Sequence, residues 1–115
     1  MTIRQLIEVC ELKVLSEGNG WDKEIKEGYI GDLLSFVMAH AKEDMIWITI
    51  QGHINTIAVA SLVGINTIIL AENSEATWQM LEKAKEYQIT VLSSHLSSFE
   101  LAYKLGAQHA LEGTG

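Results

Sequence analysis

Apolar positions change their spacing several times along the chain, and each change predicts an element. Ile3, Leu6, Ile7 and Val9 recur at helical spacing behind Thr2, a cap, and predict a helix over residues 2–10. Residues 13–18 (KVLSEG) read as a short strand, and EGNGWD, rich in Gly and Asn, as a turn. Residues 23–31 (KEIKEGYIG) predict a strand ending at Gly31. Asp32 is then placed to cap a helix to about Ala41, with Leu33, Leu34, Val37 and Ala41 on one face and Phe36 beside them. MIWITIQ is apolar without alternation and rich in β-branched residues, as in a strand buried on both faces.

His53 or Asn55 caps the next predicted helix, which runs to about Val63. NTIILA is a further strand, residues 75–88 a helix capped by Ser74, and ITVLSS the last central strand. Ser97 and Glu100 then form a capping box, with Leu96 and Leu101 as its hydrophobic staple. Gly106 is a natural stop for that helix. Strands alternating with helices over short loops predict an α/β fold of three layers, a mostly parallel sheet covered by helices on both faces. Residues 1–107 form one domain on this reading, and 108–115 a loose tail.

Composition narrows the function. The chain has 115 residues, 48% of them hydrophobic, and a net charge of −7 with Arg4 its one arginine. No Lys/Arg cluster is present to neutralise phosphates, which excludes nucleic acid and an anionic membrane surface as partners. Cys10 is alone, so neither an intrachain disulfide nor a paired-cysteine zinc site is expected. A reduced thiol suits the cytoplasm. Glu8 and Glu11 near the start argue against a signal peptide. The longest apolar stretch, 57–71, is interrupted by Gly64, Asn66 and Thr67 and falls short of the roughly 20 residues of a membrane span.

Three predicted strands end in polar groups: Gln51-Gly52-His53, Glu72-Asn73-Ser74 and Ser93-Ser94-His95. In a parallel sheet these ends share the carboxyl edge, where open α/β sheets bind ligands. Helix N-termini there favour anions. The candidate ligand-binding residues are therefore Gln51, Gly52, His53, Asn55, Thr56, Ser93, Ser94 and His95. Imidazole as a side-chain type can work as acid or base at physiological pH, so His53 and His95 are the one candidate acid–base pair. No nucleophile elbow, P-loop or dinucleotide fingerprint accompanies them. No two of His40, His53, His95 and His109 have local metal-ligand spacing. No catalytic residue, metal or cofactor is expected. Trp78 points away from the apolar face of its predicted helix and Trp21 sits in a glycine-rich turn, so both are candidate interface residues.

Three segments carry a resemblance: GYIGDLLSFVMAHAKEDMIWITIQGHINTIAVASL, INTIIL and ITVLSSHLSSFELAYKL. In their order and content the chain resembles the DRTGG domain family, best over residues 28–105, and looks like its free-standing members. Such domains also occur beside CBS domains in some pyrophosphatases and in certain phosphotransacetylases, and are related in fold to the N-terminal domain of HPr kinase/phosphorylase. The family is named for an Asp-Arg pair near the strand-to-helix corner and a later Thr-Gly-Gly. Here those places read Gly52-His53-Ile54-Asn55-Thr56 and Ala71-Glu72-Asn73, so no role of the named residues carries over. The resemblance implies a non-catalytic regulatory module, usually a homodimer, with no defined ligand; joined to the edge chemistry, the first reading is such a homodimer acting through protein contacts and sensing a small anionic ligand. A nucleotide- or metabolite-binding domain with its site at the carboxyl edge is the second reading, and an enzyme using His53 and His95 the third.

Overall fold

The computed structural model of the chain describes residues 1–113. Its order is α1 (Ile3–Cys10), β1 (Lys13–Ser16), β2 (Gly28–Ile30), α2 (Leu34–His40), β3 (Ile46–Thr49), α3 (Ile54–Val63), β4 (Thr67–Leu70), α4 (Trp78–Tyr87), β5 (Thr90–Ser93) and α5 (Ser98–Gly113). The five strands form one sheet in the order β1-β5-β4-β3-β2. β2 through β5 are parallel, and β1 runs antiparallel along β5, pairing Lys13 with Ser93.

The period-two pattern sorts side chains into two cores. Ile46, Ile48, Ile69 and Leu92 face one side, where α1 supplies Leu6 and Cys10 and α5 supplies Leu101. Trp47, Ile68, Leu70 and Val91 face the other, against Val37 of α2, Ile57 and Ala60 of α3, and Met80 and Ala84 of α4. Each such burial contributes about 1.5–3 kcal/mol for a large aliphatic side chain. The fold is therefore a three-layer α/β sandwich, as the pattern predicts.

Of the four predicted N-caps in this part of the chain, Thr2 caps as expected, and Asp32, Ser74 and the His53/Asn55 pair make no side-chain capping bond. Thr2 does cap α1, and its capping-box partner is Gln5. Asp32 caps nothing. The N-cap of α2 is Leu33, and the Asp32 carboxylate is drawn instead to the end of β3. Leu33, expected on the buried face, is 61% exposed. Ser74 does not start α4. Its hydroxyl donates to Ala71 O at 2.6 Å, Glu72 and Asn73 take left-handed backbone, and Thr77 is the cap, accepting from Met80 N. His53 stands at the N-cap of α3, but neither it nor Asn55 makes a side-chain capping bond.

Gly106 does not stop the last helix. A C′ glycine needs the left-handed region, which Gly20 and Gly64 adopt and Gly106 does not. The helix formers beyond it, Ala107 and Gln108 among them, carry α5 on to Gly113. Of the expected loose tail, residues 114 and 115 lie outside the described residues. The capping box Ser97–Glu100 is formed, with Glu100 N donating to Ser97 Oγ at 3.1 Å and Ser97 N to Glu100 Oε1 at 3.4 Å. Leu96 and Leu101 are both buried in the α1/α5-side core.

Candidate functional site

The carboxyl edge of the sheet collects the loops after β2, β3, β4 and β5, together with the start of antiparallel β1. Most of its polar groups hold the edge together. Asp32 Oδ1 accepts from Thr49 Oγ1 at 2.8 Å and from Ile50 N at 2.9 Å. Gln51 Nε2 returns a bond to Asp32 O at 3.2 Å. Thr56, fully buried, donates its hydroxyl to Gln51 O at 2.8 Å. These bonds tie the ends of β2 and β3 to the first turn of α3. Gln51 and Thr56 are thus engaged within the fold.

Gly52 answers a packing demand. A Cβ built on it would lie 1.8 Å from the carbonyl oxygen of Glu75. Thr77 N donates to Gly52 O at 2.8 Å. The missing side chain lets the chain's own 75–77 segment lie on the corner, so the close approach is made by backbone rather than by a ligand. His53 and Asn55 are exposed on the α3 side of that corner.

The loops after β4 and β5 diverge. The chain leaves β4 for α4 on one face of the sheet, and leaves β5 for α5 on the other. Adjacent parallel strands whose connections depart to opposite faces make a switch point, the usual place for a ligand in an open α/β sheet. The loops are stitched together near the sheet: Glu72 N donates to Leu96 O and Asn73 N to Ser94 O, both at 2.8 Å. Ser94 is buried, and its hydroxyl accepts from Leu96 N at 3.0 Å. Ser94 is therefore also part of the frame.

Beside this seam, toward β1 and α4, a cleft of about 280 Å³ remains open. Lys13, Asn73, Ser74, Glu75 and Ser93 line it, with Leu15, Ala76 and Leu81 as its apolar wall. Of the eight sequence-predicted ligand residues, Ser93 alone lines this cleft. His53 and His95 are exposed on loops whose strands are separated by β4, which sets the strand ends about 10 Å apart. Among the described residues no hydrogen bond joins the two or orients either imidazole. Lys13 was missed because it reaches this edge through antiparallel pairing with β5, across some eighty positions of sequence that carry no periodic signal linking the two.

The remaining candidates are placed as follows. Trp78 is 65% exposed on the first turn of α4. Trp21 is half-buried, packs against the α1/α5-side core, and donates its indole N–H to Thr90 Oγ1 at 2.9 Å. The Arg4 guanidinium lies over its ring. Among the described residues no group of three or more His, Cys, Asp and Glu side chains is arranged to hold a metal ion. No described helix is long and apolar enough to cross a membrane. Burial pushes the Cys10 thiol above its ordinary pKa, with Lys104 acting weakly against it.

No family model and no curated protein matches the sequence. Among solved structures, the chain is similar to the CBS and DRTGG domains of the regulatory region of Clostridium perfringens pyrophosphatase, complexed with its activator diadenosine tetraphosphate. The TM-score is 0.68 over 89% of this chain, at 13% sequence identity. The fold is DRTGG-like. This chain spans 44% of the length of that structure, so the DRTGG-like fold corresponds to part of a larger regulatory region. At this identity the likeness establishes architecture, and the residues of the edge carry any argument about ligand.

Proposed function

We propose that this DRTGG-like chain is a non-catalytic regulatory module, a cytoplasmic homodimer that senses a small anionic ligand at the carboxyl edge of its sheet. The observation that carries the reading is the cleft beside the β4–β5 switch point. Lys13 offers an ammonium, Ser93 a hydroxyl and Asn73 an amide, a donor set suited to a phosphate or carboxylate. Glu75 lines the same cleft and can only accept hydrogen bonds when ionised. That pairing of a cation and a carboxylate fits a ligand carrying both an anionic group and N–H or O–H donors, as a nucleotide does. The volume is close to the lower end, about 300 Å³, of ordinary small-molecule sites.

Diadenosine tetraphosphate, the activator in the structurally similar regulatory region, belongs to this chemical class and supports a regulatory role here. His53, Asn55 and His95 are exposed on the flanking loops, open to the remote part of a ligand that spans the edge. A general base needs an orienting partner, and neither imidazole has one among the described residues, which favours binding over proton transfer. Exposed aromatic side chains on α5, Phe99 and Tyr103, support self-association, and a protein partner would read out the bound state.

A thermal-shift screen of the pure chain against nucleotides, dinucleotides and phosphorylated metabolites tests the ligand. A ligand that binds only the native state stabilises by about 2.7 kcal/mol at a hundredfold excess over Kd. The expected result is a saturable rise in melting temperature that weakens at least about tenfold in apparent affinity in Lys13→Ala. A flat screen on a folded protein would remove the ligand from this reading.

A further inference from the structure

The two faces of the sheet are covered unequally. α2, α3 and α4 cover one side; α1 and α5 share the other. β2 is one of the two edge strands of the sheet, and on the α5 side it presents Gly28, which has no side chain, and Ile30. An apolar groove of about 390 Å³ results, with Gly28, Ile30 and Ile48 on the strand side and Ala102, Leu105 and Gly106 on the helix side. Further apolar side chains are exposed on α5 and at the ends of β2 and β3. Phe99 and Tyr103 are 79% and 70% exposed, and Ile30 and Ile50 nearly half exposed. At 100° per residue, Ala102, Gly106 and Phe99 follow Leu105 round one flank of α5, and Tyr103 lies beyond them on the solvent side, opposite the sheet-facing Leu101 and Leu105.

We propose that a second copy of this chain docks on this β2–α5 face. The inference rests on the homodimer reading above and names its surface. Three features select a second copy. The first is area. Two rings of roughly 200 Å² each, with the two isoleucines and the groove walls, make an apolar patch on the order of 500 Å². That is near the top of what a monomer carries, about 300–600 Å². With the polar rim of Lys26 and Glu27 it approaches the roughly 800 Å² per partner of a stable interface. The second is self-complementarity. The same surface carries a hole, the groove, and projecting aromatic rings to fill it, as an isologous two-fold contact requires. The third is the free edge of β2, which a two-fold axis beside it would pair antiparallel with its own copy.

Sedimentation of the full chain over micromolar concentrations tests this, with circular dichroism to confirm folding. The wild type is expected to be dimeric. Tyr103→Glu, at an exposed position, is expected to raise the dimer Kd about tenfold or more, the loss typical of an interface anchor. Ala102→Arg, which fills the groove from a different residue, is expected to do the same and stands in if Tyr103→Glu does not fold. Trp78→Glu is expected to leave the dimer intact. A wild type that stays monomeric would overturn both the homodimer reading and this face. A dimer that survives Tyr103→Glu and Ala102→Arg would leave the homodimer standing and overturn the β2–α5 face, whether or not Trp78→Glu dissociates it.

Discussion

At the scale of single residues, the edge is governed by what the backbone needs before any ligand is considered. Gly52 is the sharpest case. With Glu75 O 1.8 Å from the place of a Cβ, Gly52→Ala must push the 75–77 segment off the corner. The expected cost is about 1–3 kcal/mol, the usual range for overpacking, measured as a lower urea midpoint. Ser97→Ala removes the N-cap of α5 and is expected to cost about 1 kcal/mol. Cys10 sets a pH dependence. Its folded-state pKa is raised by burial, so the folded chain keeps a proton that the unfolded chain loses. This contribution is fully present below the unfolded thiol's pKa of about 8.5 and is lost as pH rises from there toward the folded value. Denaturant melts in the neutral and alkaline ranges should show a loss of stability that is smaller in Cys10→Ala; equal losses would assign the alkaline effect elsewhere.

Elements were legible where periodicity was strong and illegible where two polar residues competed for one job. The uninterrupted apolar runs of β3 and β4 lie between helices on both faces, so burial alone identified them. The start of α4 was displaced by three residues because Ser74 and Thr77 are both competent caps. Only the left-handed turn at Glu72 and Asn73, set by the seam with the β5 loop, decides between them. Asp32 shows the same limit. It reads as a cap from local sequence, and tertiary structure gives it Thr49 and Ile50 instead. Asp32→Ala is accordingly expected to loosen the β2–β3 edge rather than α2 alone, seen as faster amide exchange at Ile50 than in the wild type. Unchanged exchange at Ile50 would contradict that role.

At the scale of the whole molecule, the three-layer architecture follows from alternation of strand and helix, and the likeness in fold to a pyrophosphatase regulatory region agrees with it. The position of the candidate site does not follow from alternation. The carboxyl edge was legible, but the particular cleft depends on β5 and β4 sending their helices to opposite faces and on β1 returning antiparallel to bring Lys13 there. Neither feature has a local signature, which is why the sequence places Ser93 at this edge and leaves Lys13 out. The histidines that drew attention on chemical grounds lie on the rim, and the cation that completes the cleft came from the one strand outside the parallel pattern.

The most direct test of the central claim is an amide-resolved NMR titration of the full chain with adenosine triphosphate. The account predicts saturable shifts concentrated at residues 13–15, 73–76 and 93–95, and reduced in Lys13→Ala. Saturable shifts confined to the amino edge around Lys23, Asp44 and Asn66, where a second cavity of about 350 Å³ lies, would contradict the carboxyl-edge site.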